Sequence, residues 1–259
     1  MLRLWFPVGA KVRPTIFMVA ALLFVTVVTF VATALAEAAD STPTLVKSTY
    51  KVYKGGVLIG TIEEQFSRDG NNYKLVSDTE TAGPLRLFLR DQLKVTSVGT
   101  IDSGGLKPNS YHFSRRDNQK KNISAVFDWS KRQIVSHHDD EDEIFDLPAS
   151  TQDRVSAMYQ FMFNVPRAAE VSLWMSQGKK AELYRYRKMG APTLLINKES
   201  IPTVYYAREA KEGESRVHLW LGTGKDKYYL PVKIIFEDER GATLEQILVS
   251  LHTEHGGKD

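Results

Sequence analysis

Cysteine is absent from all 259 residues. That one absence excludes disulfides, a thiolate metal site, a cysteine nucleophile and a lipid-modified N-terminal cysteine. Packing and the backbone hydrogen-bond ladder must hold the fold without covalent help. The signatures of common hydrolases are missing too, since neither G-x-S-x-G nor H-E-x-x-H occurs. No EF-hand spacing and no nucleic-acid-binding motif is present. GTGKDK, Gly222 to Lys227, imitates a phosphate loop but fails its tests. The first glycine of G-x-x-x-x-G-K is lacking, Asp226 stands at the position after Lys225 where Ser or Thr is needed, and a strand pattern follows rather than a helix. It reads as a hairpin turn.

Only one long uncharged apolar run exists, Ile16 to Leu35. Arg3, Lys11 and Arg13 precede it, and the small-residue pattern Ala34-Leu35-Ala36 ends it. This order predicts a secretory signal peptide over residues 1–36. A run of ~20 residues is also long enough to span a bilayer, so an uncleaved N-terminal anchor is the alternative. Either way the positive leader places the rest of the chain across the membrane. The charge balance follows the same division. Of 34 Lys+Arg and 31 Asp+Glu, the leader holds three bases and no acids, which leaves 31 against 31. The net charge of +3 is therefore a property of the leader and no argument for nucleic acid.

Beyond a flexible lead-in at 37–46, the dominant period is two. Segments such as STYKVYKGG, LKVTSVGTID, ISAVFDW and TVYYAREAK alternate and stop at polar or glycine-bearing turns; DGNN is a strong hairpin signal. About 11–12 short strands at this spacing predict a mainly β domain over 47–252, a single curved antiparallel sheet forming an open or closed barrel, with a disordered tail at 253–259. Pro231 inside YYLPVKIIF predicts a sheet edge or a bulge. One segment breaks the period. Val155, Met158, Tyr159 and Met162 recur at helical spacing, which predicts one amphipathic helix at about 151–164 packed against the sheet. Ser150 and Asp153 stand in capping-box spacing. A weaker helical turn is expected in GPLRLFLRD, with Pro84 at its start.

Each chemical candidate has a plain structural alternative. In SHHDDEDEIFDL, Ser136 to Leu147, His137 or His138 with Asp139, Asp140 or Asp142 could ligate a divalent cation. Adjacent residues in an extended segment point to opposite faces, however, so a solvated connection is expected instead. RRDNQKKN, Arg115 to Asn122, suits anionic lipid headgroups, or is a hairpin tip whose lysines discourage edge pairing. His112 and His218, beside aromatics in strand patterns, are where a hidden triad would have to be sought. Asn122-Ile123-Ser124 is a formal glycosylation sequon. Tyr184/Tyr186, Tyr205/Tyr206 and Tyr228/Tyr229 either fill the core or line the mouth of a cavity.

The order of several short motifs resembles a known family. Y-x-V-Y-x-G-G-V-x-I-G (Tyr50 to Gly60) comes first, then D-S-G-G-L-x-P (Asp102 to Pro108) and F-D-W (Phe127 to Trp129). D-R-V-S-A-M-Y (Asp153 to Tyr159) and L-W-L…Y-L-P-V-K-I (Leu219 to Ile234) follow. Together they are similar to the bacterial exported family called domain of unknown function 3108, over roughly residues 45–252. The resemblance implies a Gram-negative periplasmic setting and a curved antiparallel sheet, and carries over no catalytic residue. By looser analogy it suggests a half-barrel like those of lipoprotein carriers. The expectation is a non-enzymatic periplasmic envelope protein without catalytic, metal or cofactor residues. Its barrel would bind an apolar or amphipathic ligand such as a lipid, a glycolipid or a lipoprotein segment. The alternatives are an assembly partner of another envelope protein and, behind it, a hydrolase. Partners would be lipid or an envelope protein, with membrane contact only through residues 16–35.

Overall fold

A computed structural model describes residues 42–84, 92–208 and 215–256. The predicted leader, the start of the lead-in, most of GPLRLFLRD and the last three residues lie outside the described residues. The unit Pro43–Asp259 is built on one sheet.

The first half of the chain is a meander: β1 (Leu45–Lys54), β2 (Val57–Asp69), β3 (Asn72–Thr81), β4 (Gln92–Asp102), β5 (Gly105–Arg115), β6 (Ile123–Asp128), β7 (Gln133–His138) and β8 (Glu141–Asp146). The second half supplies β9 (Gln152–Asp153), β10 (Glu170–Ser176), β11 (Glu182–Gly190), β12 (Thr193–Ile196), β13 (Glu199–Arg208), β14 (Arg216–Gly222), β15 (Pro231–Glu237) and β16 (Thr243–Glu254). In space the order is β8-β7-β6-β5-β4-β3-β2-β1-β16-β15-β14-β13-β11-β10-β9, with β12 paired to β13. β1 and β16 join the two halves along ten residue pairs, from Leu45↔Glu254 to Lys54↔Leu244. Every pairing is antiparallel except the two-residue contact of β9 with β10.

The sheet curls without closing its hydrogen-bond ladder. Its two ends, β8 and β9, are joined through residues 147–151. What closes the gap is packing. The turn between β10 and β11 reaches β5 and β6, where a Cβ on Gly178 would lie 2.7 Å from Ile123 Cγ2 and 2.9 Å from Tyr111 Cδ1. Gly178 also takes φ 86°, so glycine is required there twice over.

Alternation turns one face of β1–β7 inward. Val46, Phe66, Tyr73, Leu75, Tyr111, Ala125, Phe127 and Ile134 form a buried cluster with Val155 and Tyr159. A second cluster gathers Phe161, Tyr186, Tyr206, Leu219 and Ile234 on the other half. Met158 packs against both, so the segment between β9 and β10 ties the halves together.

Three expectations are corrected. The helix predicted at 151–164 is far shorter: α1 (Ser156–Tyr159) is followed by a 3₁₀ turn, Gln160–Met162, and Gln152–Asp153 are strand. It is also not amphipathic in place, because Val155, Ser156, Ala157, Tyr159, Gln160 and Phe161 are all buried. A helix enclosed by a curled sheet has no solvent face to keep polar. Its cap is not Ser150, which has φ 60°. Asp153 Oδ1 accepts the Val155 and Ser156 N–H groups at 3.0 and 2.9 Å, and Ser156 Oγ accepts the Asp153 N–H at 2.9 Å.

SHHDDEDEIFDL is solvated, but it is a strand hairpin rather than an irregular connection. Asp139 and Asp140 take φ 54° and 63°, the pair of left-handed residues that a two-residue type I′ turn needs and that Asp tolerates. β8 pairs only with β7, and an edge strand need not show the alternation that reveals an inner one. Among the described residues the strands number 16 rather than 11–12, partly because acidic β8, two-residue β9 and β10 carry no clear period-two signal. Of the edge or bulge expected at Pro231, the bulge is present: the β14–β15 register shifts between Trp220 and Leu221, and Leu221 pairs with Pro231.

Candidate functional site

The inside of the barrel differs from end to end. Toward the turns that join β2–β3, β4–β5 and β6–β7, Phe66, Tyr73, Leu106 and Phe127 are buried, Ile101, Trp129 and Phe163 keep partial access, and the 3₁₀ turn packs into the space. Gln160 fastens the plug: its Oε1 accepts the Leu106 N–H at 2.7 Å and its Nε2 donates to Gly104 O at 2.7 Å. Asn164 Nδ2 donates to the same Gly104 carbonyl at 2.6 Å. Toward the opposite end, Ile62, Glu64, Leu93, Phe113 and Ile123 on the inner face keep partial solvent access, as do Met158 and Trp174. Among the described residues that end keeps solvent access and is mainly apolar.

Two carboxylates lie on the inner side. Asp153 is fully buried and receives the Ser97 hydroxyl, which in turn meets Tyr73 Oη at 3.1 Å. Burial raises the Asp153 carboxyl above its usual range against the pull of the Ser156, Ser97 and Val155 hydrogen bonds. Glu64 receives the Ser77 hydroxyl at 3.2 Å and a hydrogen bond from Tyr159, whose Oη also lies 3.2 Å from Ser48 Oγ. Desolvation raises the Glu64 carboxyl as well. The Tyr111 hydroxyl is pushed up to about 12 by burial. Arg154, exposed between two buried neighbours, is the cation that opposes the shifts of both Glu64 and Tyr111.

The rim of the solvent-accessible end carries charges of both signs. A cleft of about 370 Å³ lies there, lined by Asp78, Gln92, Lys94, Ser114, Arg115, Arg116, Gln119 and Asn122. Lys94 Nζ is 3.4 Å from Asp78 Oδ2. Asn122 Oδ1 accepts the Arg115 N–H at 2.9 Å and pins the loop to the strand end.

The sequence candidates separate clearly. His137 and His138 do point to opposite faces. His137 is exposed with Nδ1 2.8 Å from Asp142, while His138 is nearly buried between Asp139 at 3.2 Å and Glu143 at 3.1 Å. The two His138 nitrogens face different carboxylates, and among the described residues no cluster of His, Asp and Glu is arranged to hold a metal ion. His112 Nδ1 meets Ser124 Oγ at 2.9 Å on the exposed outer face. His218 Nδ1 meets Tyr205 Oη at 2.7 Å, and its Nε2 is 3.6 Å from Glu237. Neither pair is a triad: the first has no carboxylate, and the second has no hydroxyl nucleophile of the Ser or Thr kind. GTGKDK connects β14 and β15 as expected of a turn, with Lys227 Nζ held by Asp226 at 2.7 Å and Glu199 at 2.8 Å. Of the tyrosine pairs, Tyr186 and Tyr206 are core, whereas Tyr205 stacks on Trp220 outside, with centroids 4.5 Å apart. The Asn122 side chain of the sequon is engaged with Arg115.

Sequence reasoning missed Glu64, Asp153 as an interior group, and the cleft residues Asp78 and Lys94. Glu64 left a signal: it occupies an inward position between Ile62 and Phe66 in the period-two pattern. The cleft left none, because it is made by side-by-side strand ends distant in sequence.

No curated protein matches this chain. A beta-barrel-like protein of domain of unknown function DUF1849 from Brucella abortus shares the fold at 10% identity, with TM-score 0.51, over 82% of this chain and 98% of that one. A protein from Parabacteroides distasonis, provisionally described as a lipoprotein, aligns at 7% identity and TM-score 0.35 over 82% of this chain and 96% of its own. The motif order noted in the sequence is matched at family level, and over residues 49–247 the chain belongs to the protein family of unknown function DUF3108.

Proposed function

We propose that this is a non-enzymatic periplasmic envelope protein that holds an apolar or amphipathic ligand, such as a lipid, in the open end of its barrel. The observation that carries the reading is a set of inward apolar side chains that keep partial solvent access at one end. Ile62, Leu93, Phe113, Met158 and Trp174 keep partial solvent access, while the other end carries the plug fastened by Gln160. An apolar wall reachable from solvent is what a ligand with hydrocarbon chains requires. The export signal read from the sequence supports the location. Among the described residues no helix is long and apolar enough to cross a membrane.

The test is mass spectrometry of lipids extracted from the purified full-length chain, paired with displacement of a fluorescent apolar probe. Co-purified lipid that competes with the probe supports the reading. A protein that carries no lipid and leaves the probe dark overturns it.

A second reading, an assembly partner, is favoured by one observation. Val126, Val135 and Ile144 lie side by side in register on the outer face, 55%, 40% and 63% exposed, and the row runs to β8 at the sheet's edge. A stoichiometric protein cross-linked to β8, with no lipid bound, selects this reading.

A further inference from the structure

The curled sheet leaves the edge of β8 unpaired. β8 pairs with β7 alone, from Gln133↔Asp146 to His138↔Glu141. The two-residue turn at Asp139-Asp140 makes His138↔Glu141 a hydrogen-bonded pair, and bonded and non-bonded pairs alternate from there. The N–H and C=O groups of Asp142, Ile144 and Asp146 therefore point away from β7. Among the described residues no other segment bonds to them. Glu141, Asp142, Glu143, Ile144 and Asp146 are all exposed, so nothing among the described residues covers this edge.

The side chains of β8 select what can pair there. Asp142, Ile144 and Asp146 share the outer face, where Ile144 ends the exposed apolar row that starts at Val126 and Val135. A guest strand would extend this row with one apolar side chain and meet an acid on either side of it. The acid is in excess once its neighbours are counted. Residues 128–146 with Lys179 and Lys180 hold seven acids and four bases. Lys131 is engaged by Asp128 and Lys179 by Asp139, while Asp142 meets His137 and Glu143 meets His138. Acid on an edge deters pairing with a like edge. Two copies of β8 paired antiparallel about Ile144 would set Asp142 of each against Asp146 of the other. Deterrence does not extend to a basic strand, and it leaves Ile144, 63% exposed on that same edge, unexplained.

We propose that β8 accepts a basic extended segment of another protein as an added strand, with Lys or Arg opposite Asp142 and Asp146 and an apolar side chain opposite Ile144. The main chain supplies affinity and the alternating side chains supply selectivity. Asp-x-Ile-x-Asp reads the same in both directions, so it admits a parallel or an antiparallel guest. The inference rests on the assembly reading above, names that partner's chemistry, and does not depend on what the barrel holds.

The test titrates the full-length chain, in a neutral detergent, with three acetylated heptapeptides at up to millimolar concentration and follows backbone amide exchange by NMR. Thr-Lys-Thr-Val-Thr-Lys-Thr carries the alternation. Thr-Glu-Thr-Val-Thr-Glu-Thr reverses its charge, and Lys-Lys-Val-Thr-Thr-Thr-Thr keeps the charge without the alternation. The variants are Asp142→Lys/Asp146→Lys and, in case the double change disturbs folding, Asp146→Lys alone. The wild type is expected to prefer the alternating lysine peptide over the glutamate peptide about tenfold or more, a preference that falls with salt. Its binding should slow exchange at Asp142, Ile144 and Asp146. The double variant should prefer the glutamate peptide, and the single variant should lose part of the wild-type preference. Equal binding of the two lysine peptides without protection of these amides is diffuse charge attraction and overturns the inference. A double variant that keeps the wild-type preference also overturns it. Protection of the same amides in the chain alone, rising with its concentration, assigns the edge to a second copy and overturns it too. If no peptide binds, the inference falls, while a protein still cross-linked to β8 keeps the assembly reading standing. No peptide bound and no protein cross-linked overturns both.

Discussion

Lys179 Nζ lies 3.6 Å from Asp139 Oδ2, across the two ends of a sheet that its strand ladder does not join. The pair sits beside a second closure, the contact of Gly178 with Tyr111 and Ile123. The two differ in kind. Lys179 and Asp139 are solvated, and exposed ion pairs contribute about 0–1 kcal/mol. The glycine contact is packed, and any side chain there meets both a clash and a strained φ of 86°. Gly178→Val is expected to cost about 3 kcal/mol or more, and Lys179→Ala less than about 1. Urea unfolding of the two variants measures the ranking; equal costs would mean that the ion pair matters as much as packing.

Asp153 gives the fold a pH dependence. Its native carboxyl is raised above the ordinary 3.8 by burial, so the folded chain holds this proton more tightly than the unfolded one. The stabilisation is complete below the ordinary carboxyl range and is lost as pH rises through the raised value. Glu64 acts in the same direction from 4.5. Asp153→Asn should keep an acceptor for the Val155 and Ser156 amides and flatten the fall in melting temperature between acid and neutral pH. Asp153→Ala should cost about 1–3 kcal/mol at every pH, because the cap is lost and the buried Ser97 hydroxyl loses its acceptor. A wild-type melting temperature that climbs steadily from pH 4 to 7 would contradict the sign.

Tyr159 couples α1 to the wall through Ser48 and Glu64. Tyr159→Phe leaves the ring stack with Phe66, whose centroid is 5.9 Å away, and removes only the hydroxyl. The expected loss is about 1–2 kcal/mol, with Glu64 left without one of its donors. Chemical denaturation reads the loss, and an Asp153→Asn background should not change it by more than the usual error if the two polar clusters are independent.

Asp140 has φ 63° in the β7–β8 turn and is exposed. Asp140→Gly should stabilise by up to about 1 kcal/mol by relieving the left-handed backbone, since type I′ turns favour glycine at their second position. Asp140→Val should destabilise by a comparable or larger amount, a β-branched residue being the poorest choice there. A thermal melt of both variants decides it, and the reverse order would mean the turn is not type I′.

The sequence by itself determined the curled antiparallel sheet, because alternation along β1–β7, β11 and β13–β16 is a local property that each strand shows alone. It also narrowed Pro231 to an edge or a bulge, since a missing N–H disrupts a ladder wherever it falls, and determined the family, whose motifs lie in order along the chain. It did not determine the extent of α1. Val155, Met158, Tyr159 and Met162 have helical spacing, but the curled sheet around them leaves room for seven helical residues. Nor did it reveal β8, whose acidic residues look like a solvated run until β7 lies beside them. Only the tertiary structure decided that Gln160 plugs one end of the barrel, and that Asp78, Lys94 and Arg116 line one cleft. Those features depend on which strand ends lie side by side, and strand order is a matter of global packing that no local period records.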